Sequence, residues 1–90
     1  MADDLTPVEI DAAFKRRLAA KSHRQQDAIA RAIVKLRKNP RHPGLRTHKL
    51  QGMPGVIAAR VSEGDRLTFR WEGAKIVLLN HCTHSQVYGR

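Results

Sequence analysis

The sequence predicts an α+β fold: an N-terminal antiparallel helical hairpin packed on a three- to four-stranded antiparallel β-sheet, within a single domain spanning residues 1–90. Three observations carry this expectation. Apolar residues recur at helical spacing as far as Leu36, cap and breaker signals divide that stretch in two, and from Val56 onward apolar and polar residues alternate between glycine-containing turns. Ninety residues leave room for one core. With only Phe14, Phe69, Trp71 and Tyr88 as aromatics, that core must be built mainly from Ile, Leu, Val and Ala.

The first helix is predicted to begin at Thr6-Pro7-Val8-Glu9. Thr6 is a suitable cap, Pro7 is tolerated at the first helical position, and Glu9 completes a capping box. Ile10, Phe14 and Leu18 then form one apolar stripe. A second capping box, Ser22-His23-Arg24-Gln25, starts the next helix, whose apolar face is Ala28, Ile29, Ala32, Ile33 and Leu36. Lys35, Arg37 and Lys38 suit the negative end of its dipole, and Asn39-Pro40 stops it. Residues 39–55 read as a loop punctuated by proline and glycine, with Arg41, His42, Arg46, His48 and Lys49 and no acid.

Three strands are expected, Val56–Ser62, Arg66–Glu72 and Lys75–Asn80. Leu67, Phe69 and Trp71 alternate with Arg66, Thr68 and Arg70, which gives the second strand one apolar and one basic face. A three-residue loop with Gly64 left-handed would set Arg60 opposite Thr68 and Ser62 opposite Arg66. A two-residue loop would turn Arg60 among the apolar side chains, so the longer loop is preferred. Trp71 is expected in the core. Ile76-Val77-Leu78-Leu79 is apolar on both faces and is expected to lie inside the sheet.

Lys and Arg total 17 against 8 Asp and Glu, a formal charge of +9. The imbalance deepens along the chain: from Phe14 onward all 17 basic residues face only Asp27, Glu63, Asp65 and Glu72, a balance of +13. Such a field favours a polyanionic partner. A lone cysteine, Cys82, excludes an intramolecular disulfide and suits a reducing compartment. The acidic N-terminus lacks the apolar segment of a signal peptide, and no apolar run approaches the ~18 residues of a membrane span, so a cytoplasmic location is expected.

Specific words sit on this order of elements. They are Leu36-Arg37-Lys38-Asn39-Pro40 at the second helix end and Leu45-Arg46-Thr47-His48-Lys49-Leu50-Gln51-Gly52 leading into the sheet. Ala59-Arg60-Val61 with Gly64-Asp65-Arg66-Leu67-Thr68-Phe69 follows in the hairpin, and Ile76-Val77-Leu78-Leu79 with Thr83-His84-Ser85-Gln86-Val87-Tyr88 closes the chain. Together they resemble the RelE/ParE toxin superfamily over residues 8–89. The resemblance implies a toxin of a bacterial type II toxin–antitoxin pair. Many such toxins cleave mRNA at the ribosome, and others poison DNA gyrase. It also implies a cognate antitoxin, which would pack on the helices or cover the basic face. The family usually opens with a β-strand; here that stretch is short and capped for a helix, so the strand is expected to be missing or reduced to a few residues.

RNA cleavage by transesterification without a metal needs a base for the 2′-hydroxyl, an acid for the leaving 5′-oxygen, and cations for the phosphorane. Histidine is the natural proton carrier near neutral pH, and arginine is a fixed bidentate phosphate partner. His84 matches the family's C-terminal histidine and is the leading proton-transfer candidate, with His48 as a second acid/base or RNA contact. Arg60 and Arg66 share a predicted face and are expected to hold the scissile phosphate. Tyr88 matches a terminal aromatic that stacks on a base or orients the substrate; packing on the sheet edge is its other reading. Arg46, Lys49, Arg70 and His81 are expected to contact RNA around that centre. His81-Cys82-x-His84 is too poorly supplied for a tetrahedral zinc site, so neither metal nor cofactor is expected. The competing functions are a non-enzymatic gyrase inhibitor of the ParE type and a basic RNA-binding module without activity.

Overall fold

In chain order the elements are β1 (Val8–Glu9), α1 (Ala12–Ala19), α2 (His23–Lys38), a 3-10 turn at Pro43–Leu45, β2 (His48–Lys49), β3 (Ile57–Arg60), β4 (Asp65–Glu72) and β5 (Lys75–Thr83). This is a computed structural model that describes residues 5–83. The strands form one five-stranded sheet in the order β1-β5-β4-β3-β2, and the sheet is mixed because β1 runs parallel to β5. The α+β class stands, but the expected three- to four-stranded antiparallel sheet gains a strand at each edge.

The first edge strand lies where a helix start was expected. Val8 pairs with Ile76 and Glu9 with Val77, and Ile76 N–H donates to the Pro7 carbonyl at 2.9 Å. Pro7 has no N–H to lose on an edge strand, so it fits there as well as it fits a helical first turn. Asp11 is the true cap of α1: its Oδ1 accepts the Phe14 N–H at 2.8 Å. Val8 and Ile10 both pack against the core, so this stretch follows a period of two and the helical stripe begins only at Phe14. The opening strand, expected to be missing or reduced to a few residues, is therefore present with two. The other added strand, β2, pairs His48 with Ala58 and Lys49 with Ile57. Two residues amid prolines and glycines carry too little alternation to be read as a strand.

The second helix follows its signals. Ser22 Oγ accepts the Gln25 N–H at 3.1 Å while Gln25 Oε1 accepts the Ser22 N–H at 3.3 Å, closing the capping box. Ile29, Ala32 and Leu36 are buried, and Asn39 caps the end before Pro40. These side chains join Phe14, Leu45, Ala59, Leu67, Phe69, Ile76 and Leu78 in one core between the helices and one face of the sheet. Trp71 departs from expectation. It lies edge-on to Phe69 with ring centroids 6.4 Å apart, but it is 42% exposed.

The β3–β4 hairpin keeps its faces and changes its register. Arg60 pairs with Arg66 and Ala59 with Leu67, two residues from the expected alignment. The Val61 and Ser62 N–H groups both donate to the Asp65 carbonyl, and Asp65 N–H donates back to Ser62. This is a tight turn over Glu63 and Gly64 with a bulge beside it, and Gly64 does not adopt the left-handed conformation. A two-residue turn alone would have inverted the strand. The extra residue in the bulge restores the parity, so Arg60 still points away from the core.

A second bulge lies in β5. Phe69 pairs with Leu78 and Thr68 with Asn80, leaving Leu79 outside the ladder. Before it, Ile76 and Leu78 face the helices; after it, His81 does, as the partner of Leu67. Among the described residues no helix is long and apolar enough to cross a membrane.

The position of the first cap is directly testable. Asp11→Ala should cost about 1 kcal/mol in urea unfolding, the usual value of an N-cap, whereas Thr6→Ala should stay within about 0.5 kcal/mol.

Candidate nucleic-acid interface

The sheet face turned away from the helices collects the basic residues in rows set by the ladder. Arg60, Arg66 and Cys82 form one row, because Arg66 pairs with both of the others. His48, Ala58, Thr68 and Asn80 form the next, crossing four strands. Arg70 and Val77 form the third. The β5 bulge is what turns Asn80 and Cys82 to this side. Sequence alternation from Ile76 would have placed them under the helices.

Each cation is held differently. Arg66 Nη1 donates to the carbonyls of Ser62 at 2.6 Å and Asp65 at 2.9 Å, and more weakly to Glu63 at 3.3 Å. Its guanidinium therefore braces the β3–β4 turn. Arg60 faces it across the ladder, and two like charges directly opposite are unfavourable unless something neutralises them. Arg70 is exposed and pairs with Glu72 two residues along. Lys75 binds Glu9 at 2.7 Å, and that carboxylate, first by its hydrogen bond and then by its charge, holds the ammonium above its usual pKa.

His48 is exposed on edge strand β2. Its Nδ1–H donates to the Arg46 carbonyl at 3.1 Å, which fixes the orientation of the ring on β2. Arg46 itself is left-handed, at φ 46° and ψ 47°, and closes the 3-10 turn that delivers the chain to β2. Lys49 is exposed but pairs with Ile57, so it belongs to the helix-side register.

His81 also lies on the helix side. Its side chain is 5% exposed, and Nε2–H donates to Asp65 Oδ1 at 2.9 Å. Ser62 Oγ–H donates to the other oxygen of Asp65 at 2.7 Å. Burial pushes the Asp65 carboxyl up, but the hydrogen bonds from Ser62 and His81, with the charge of His81, outweigh it and leave the pKa below the usual 3.8. His81 Nδ1 is buried without a hydrogen-bond partner among the described residues, beside a cavity of about 50 Å3 lined by Phe14, Arg17, Leu18, Lys21 and Asn80. Burial raises the Cys82 thiol above its usual pKa, more than the charges of Lys21 and Arg17 lower it. No three of the His, Cys, Asp and Glu side chains among the described residues converge as a metal site.

The structure thus brings His48, Arg60, Arg66 and Arg70 to one face and sets His81 and Lys49 apart. His84 and Tyr88 lie outside the described residues. Thr68 lies on the face where the alternation of β4 puts it, whereas Asn80 and Cys82 join it without having been anticipated, as does the Ser62–Asp65–His81 network behind it. The bulge that places them leaves no mark in the residue pattern.

Neither the family models nor the curated proteins contain a match to this sequence. Solved structures do share its fold. A chain of the RelBE2 toxin–antitoxin complex from Mycobacterium tuberculosis is 19% identical, with a TM-score of 0.70 over 90% of this chain and 93% of that one. The YoeB/ParE toxin from Agrobacterium tumefaciens is 15% identical, with a TM-score of 0.69 over 87% and 98% of the two chains. A chain of the Escherichia coli DinJ–YafQ complex is 22% identical, with a TM-score of 0.65 over 91% and 97%.

The Asp65 network carries a pH signature. A carboxylate whose folded pKa lies below its unfolded one stabilises the fold above that unfolded value, and the contribution disappears as pH falls through the folded value. Urea midpoints measured from pH 7 to pH 3 should therefore fall for the native chain below about pH 4. Asp65→Asn should be less stable at pH 7 and lose less on acidification; parallel curves would remove Asp65 from this role. The fold that frames these residues is the one that these solved toxin and toxin–antitoxin structures share.

Proposed function

We propose that the chain is the toxin of a type II toxin–antitoxin pair, a ribosome-dependent endoribonuclease that cleaves mRNA without a metal by 2′-hydroxyl transesterification. The observation that carries this reading is the row structure of the helix-distal face. A histidine with a fixed tautomer and three arginines share that face in a fold found in toxin–antitoxin complexes.

In the reaction the 2′-oxygen loses its proton and attacks the adjacent phosphorus. The 5′-oxygen then leaves with a proton, and a 2′,3′-cyclic phosphate remains. Arg60 binds the non-bridging oxygens, where negative charge grows, and Arg66 holds the turn that fixes β3 against β4. His84, which follows β5 in sequence, is the proton carrier of this reading, with His48 as the second acid/base. Tyr88 stacks on a base, and Arg46, Arg70 and Lys49 follow the backbone as sequence-blind cations. His81 acts from behind, by tying β5 to Asp65.

The partners in this reading are mRNA in the ribosome, ribosomal RNA, and an acidic antitoxin that neutralises the basic surface, all in the cytoplasm. The second reading, a ParE-like gyrase inhibitor, requires no histidine beside the arginines.

Primer extension on mRNA incubated with ribosomes and the purified protein tests the proposal. Arg60→Ala and His84→Ala should each lower the cleavage rate by about 10²- to 10⁴-fold while thermal unfolding and ribosome binding are kept. Unchanged cleavage in both would overturn the assignment. Gyrase-linked DNA breaks with intact mRNA would replace it with the gyrase reading, and salt-sensitive RNA binding without cleavage would reduce it to a binding module.

A further inference from the structure

A second cationic feature lies on the helix side of the sheet, between α2 and the end of β3. It is a cleft of about 220 Å3 bounded by Arg31, Lys35 and Arg60. Ala28, Ala32 and Gly44 keep it open, since none has a side chain long enough to fill it. A Cβ built on Gly44 would lie 3.8 Å from Lys35 Nζ, so the ammonium sits over that glycine. No carboxylate is among the lining residues.

Among the described residues, no carboxylate lines the cleft to neutralise the charges gathered there. Arg31 and Lys35 are four residues apart on α2, so they stand on one helix face and repel each other. Arg60 approaches from the sheet, where β2 pairs only with Ile57 and Ala58 and leaves the end of β3 as an open edge. Asp65 lies close by, yet its two oxygens accept Ser62 and His81. Ser62 reaches the rim of the cleft with its hydroxyl already donated to Asp65 and its carbonyl occupied by Arg66. The rim is therefore held in place by its own hydrogen bonds.

We propose that this cleft binds a phosphate group. Three cations from two elements converge on a space worth about seven waters at ~30 Å3 each, which fits a phosphate with part of its hydration. Arg31 supplies planar donors and Lys35 a mobile point charge, while Arg60 borders the opening from the end of β3. The phosphate comes either free, as the ion or a monoester, or from an RNA backbone. The backbone source rests on the reading of the chain as RNA-directed; the free source does not. Because Arg60 borders both features, an RNA strand using the cleft would cross the open end of β3 between the two sides of the sheet.

Amide NMR of the full chain, titrated first with inorganic phosphate and then with a 2′-O-methylated oligouridylate, tests this. The methylated oligomer cannot undergo 2′-hydroxyl attack, so binding is read apart from cleavage. Both probes should give saturable shifts at Arg31, Lys35, Gly44 and Ser62. The Arg31→Gln/Lys35→Gln variant and the single Lys35→Glu variant should bind at least about tenfold more weakly with an unchanged Tm, as expected for exposed helix positions. Lys35→Arg should retain binding. Oligomer binding at least about tenfold tighter than phosphate, competed by phosphate at these amides, assigns the backbone source; equal affinity assigns the free one. Shifts spread over all surface cations without saturation, or native-like binding by both charge-removal variants, would overturn the proposal. Loss of mRNA cleavage with intact phosphate binding would count against the proposed reaction alone.

Discussion

The basic face depends on how two bulges divide the side chains of three strands between core and solvent. A sheet that packs helices on one side must send alternate residues to each side, and one inserted residue reverses everything beyond it. In β5 the insertion of Leu79 comes after Ile76 and Leu78 have entered the core and before His81 does. Its displaced carbonyl accepts Arg17 Nη2 from α1 at 3.0 Å, so the irregularity is satisfied by the element it packs against. In β3 the bulge beside the Ser62–Asp65 turn keeps Ala59 inward and Arg60 outward. Without these two insertions the same residues would put arginine under the helices and apolar side chains in water.

The electrostatics follow from that division. Cross-strand arginines oppose each other, and so do neighbouring cations on α2, which costs stability in the empty protein. The fold limits the cost locally. Arg66 spends one nitrogen on three turn carbonyls, Arg70 leans on Glu72, and Lys75 takes Glu9 from the opposite edge strand. Among the described residues Arg60, Arg31 and Lys35 have no such arrangement, and Arg60 stands where the two sides of the sheet meet. A surface of this kind is stabilised by whatever anion covers it.

Much of this was legible in the residues, because it depends on short-range chemistry. The capping box at Ser22, the stop at Asn39-Pro40 and the one-sided alternation of Leu67 and Phe69 against Arg66 and Thr68 are all local, and each appears in the structure. What stayed hidden depends on partners distant in sequence. Val8 and Glu9 become a strand because Ile76 and Val77 offer them a ladder, and Thr6-Pro7-Val8-Glu9 carries an equally good helix start that tertiary pairing overrides. His81 was expected beside the RNA, but its side of the sheet is decided by the unpaired Leu79, whose apolar side chain fits either position. The hairpin register was misread by two residues, an even number, which is why the shared face of Arg60 and Arg66 survived the error.

The sheet's outermost strands are only two residues long, and this bears on how such a protein avoids sticking to itself. An edge strand exposes unpaired backbone groups that another chain can extend, and long flat edges seed aggregation. Here Pro7 precedes one edge strand and withholds a donor, while Lys49 sits in the other. Where β1 ends too early to cover β5, the Arg17 guanidinium takes the Leu79 carbonyl, and beyond β2 the uncovered end of β3 carries Arg60. Cations that suit a polyanion thus also act as gatekeepers against strand addition, and a copy of the same chain is the visitor they repel most strongly.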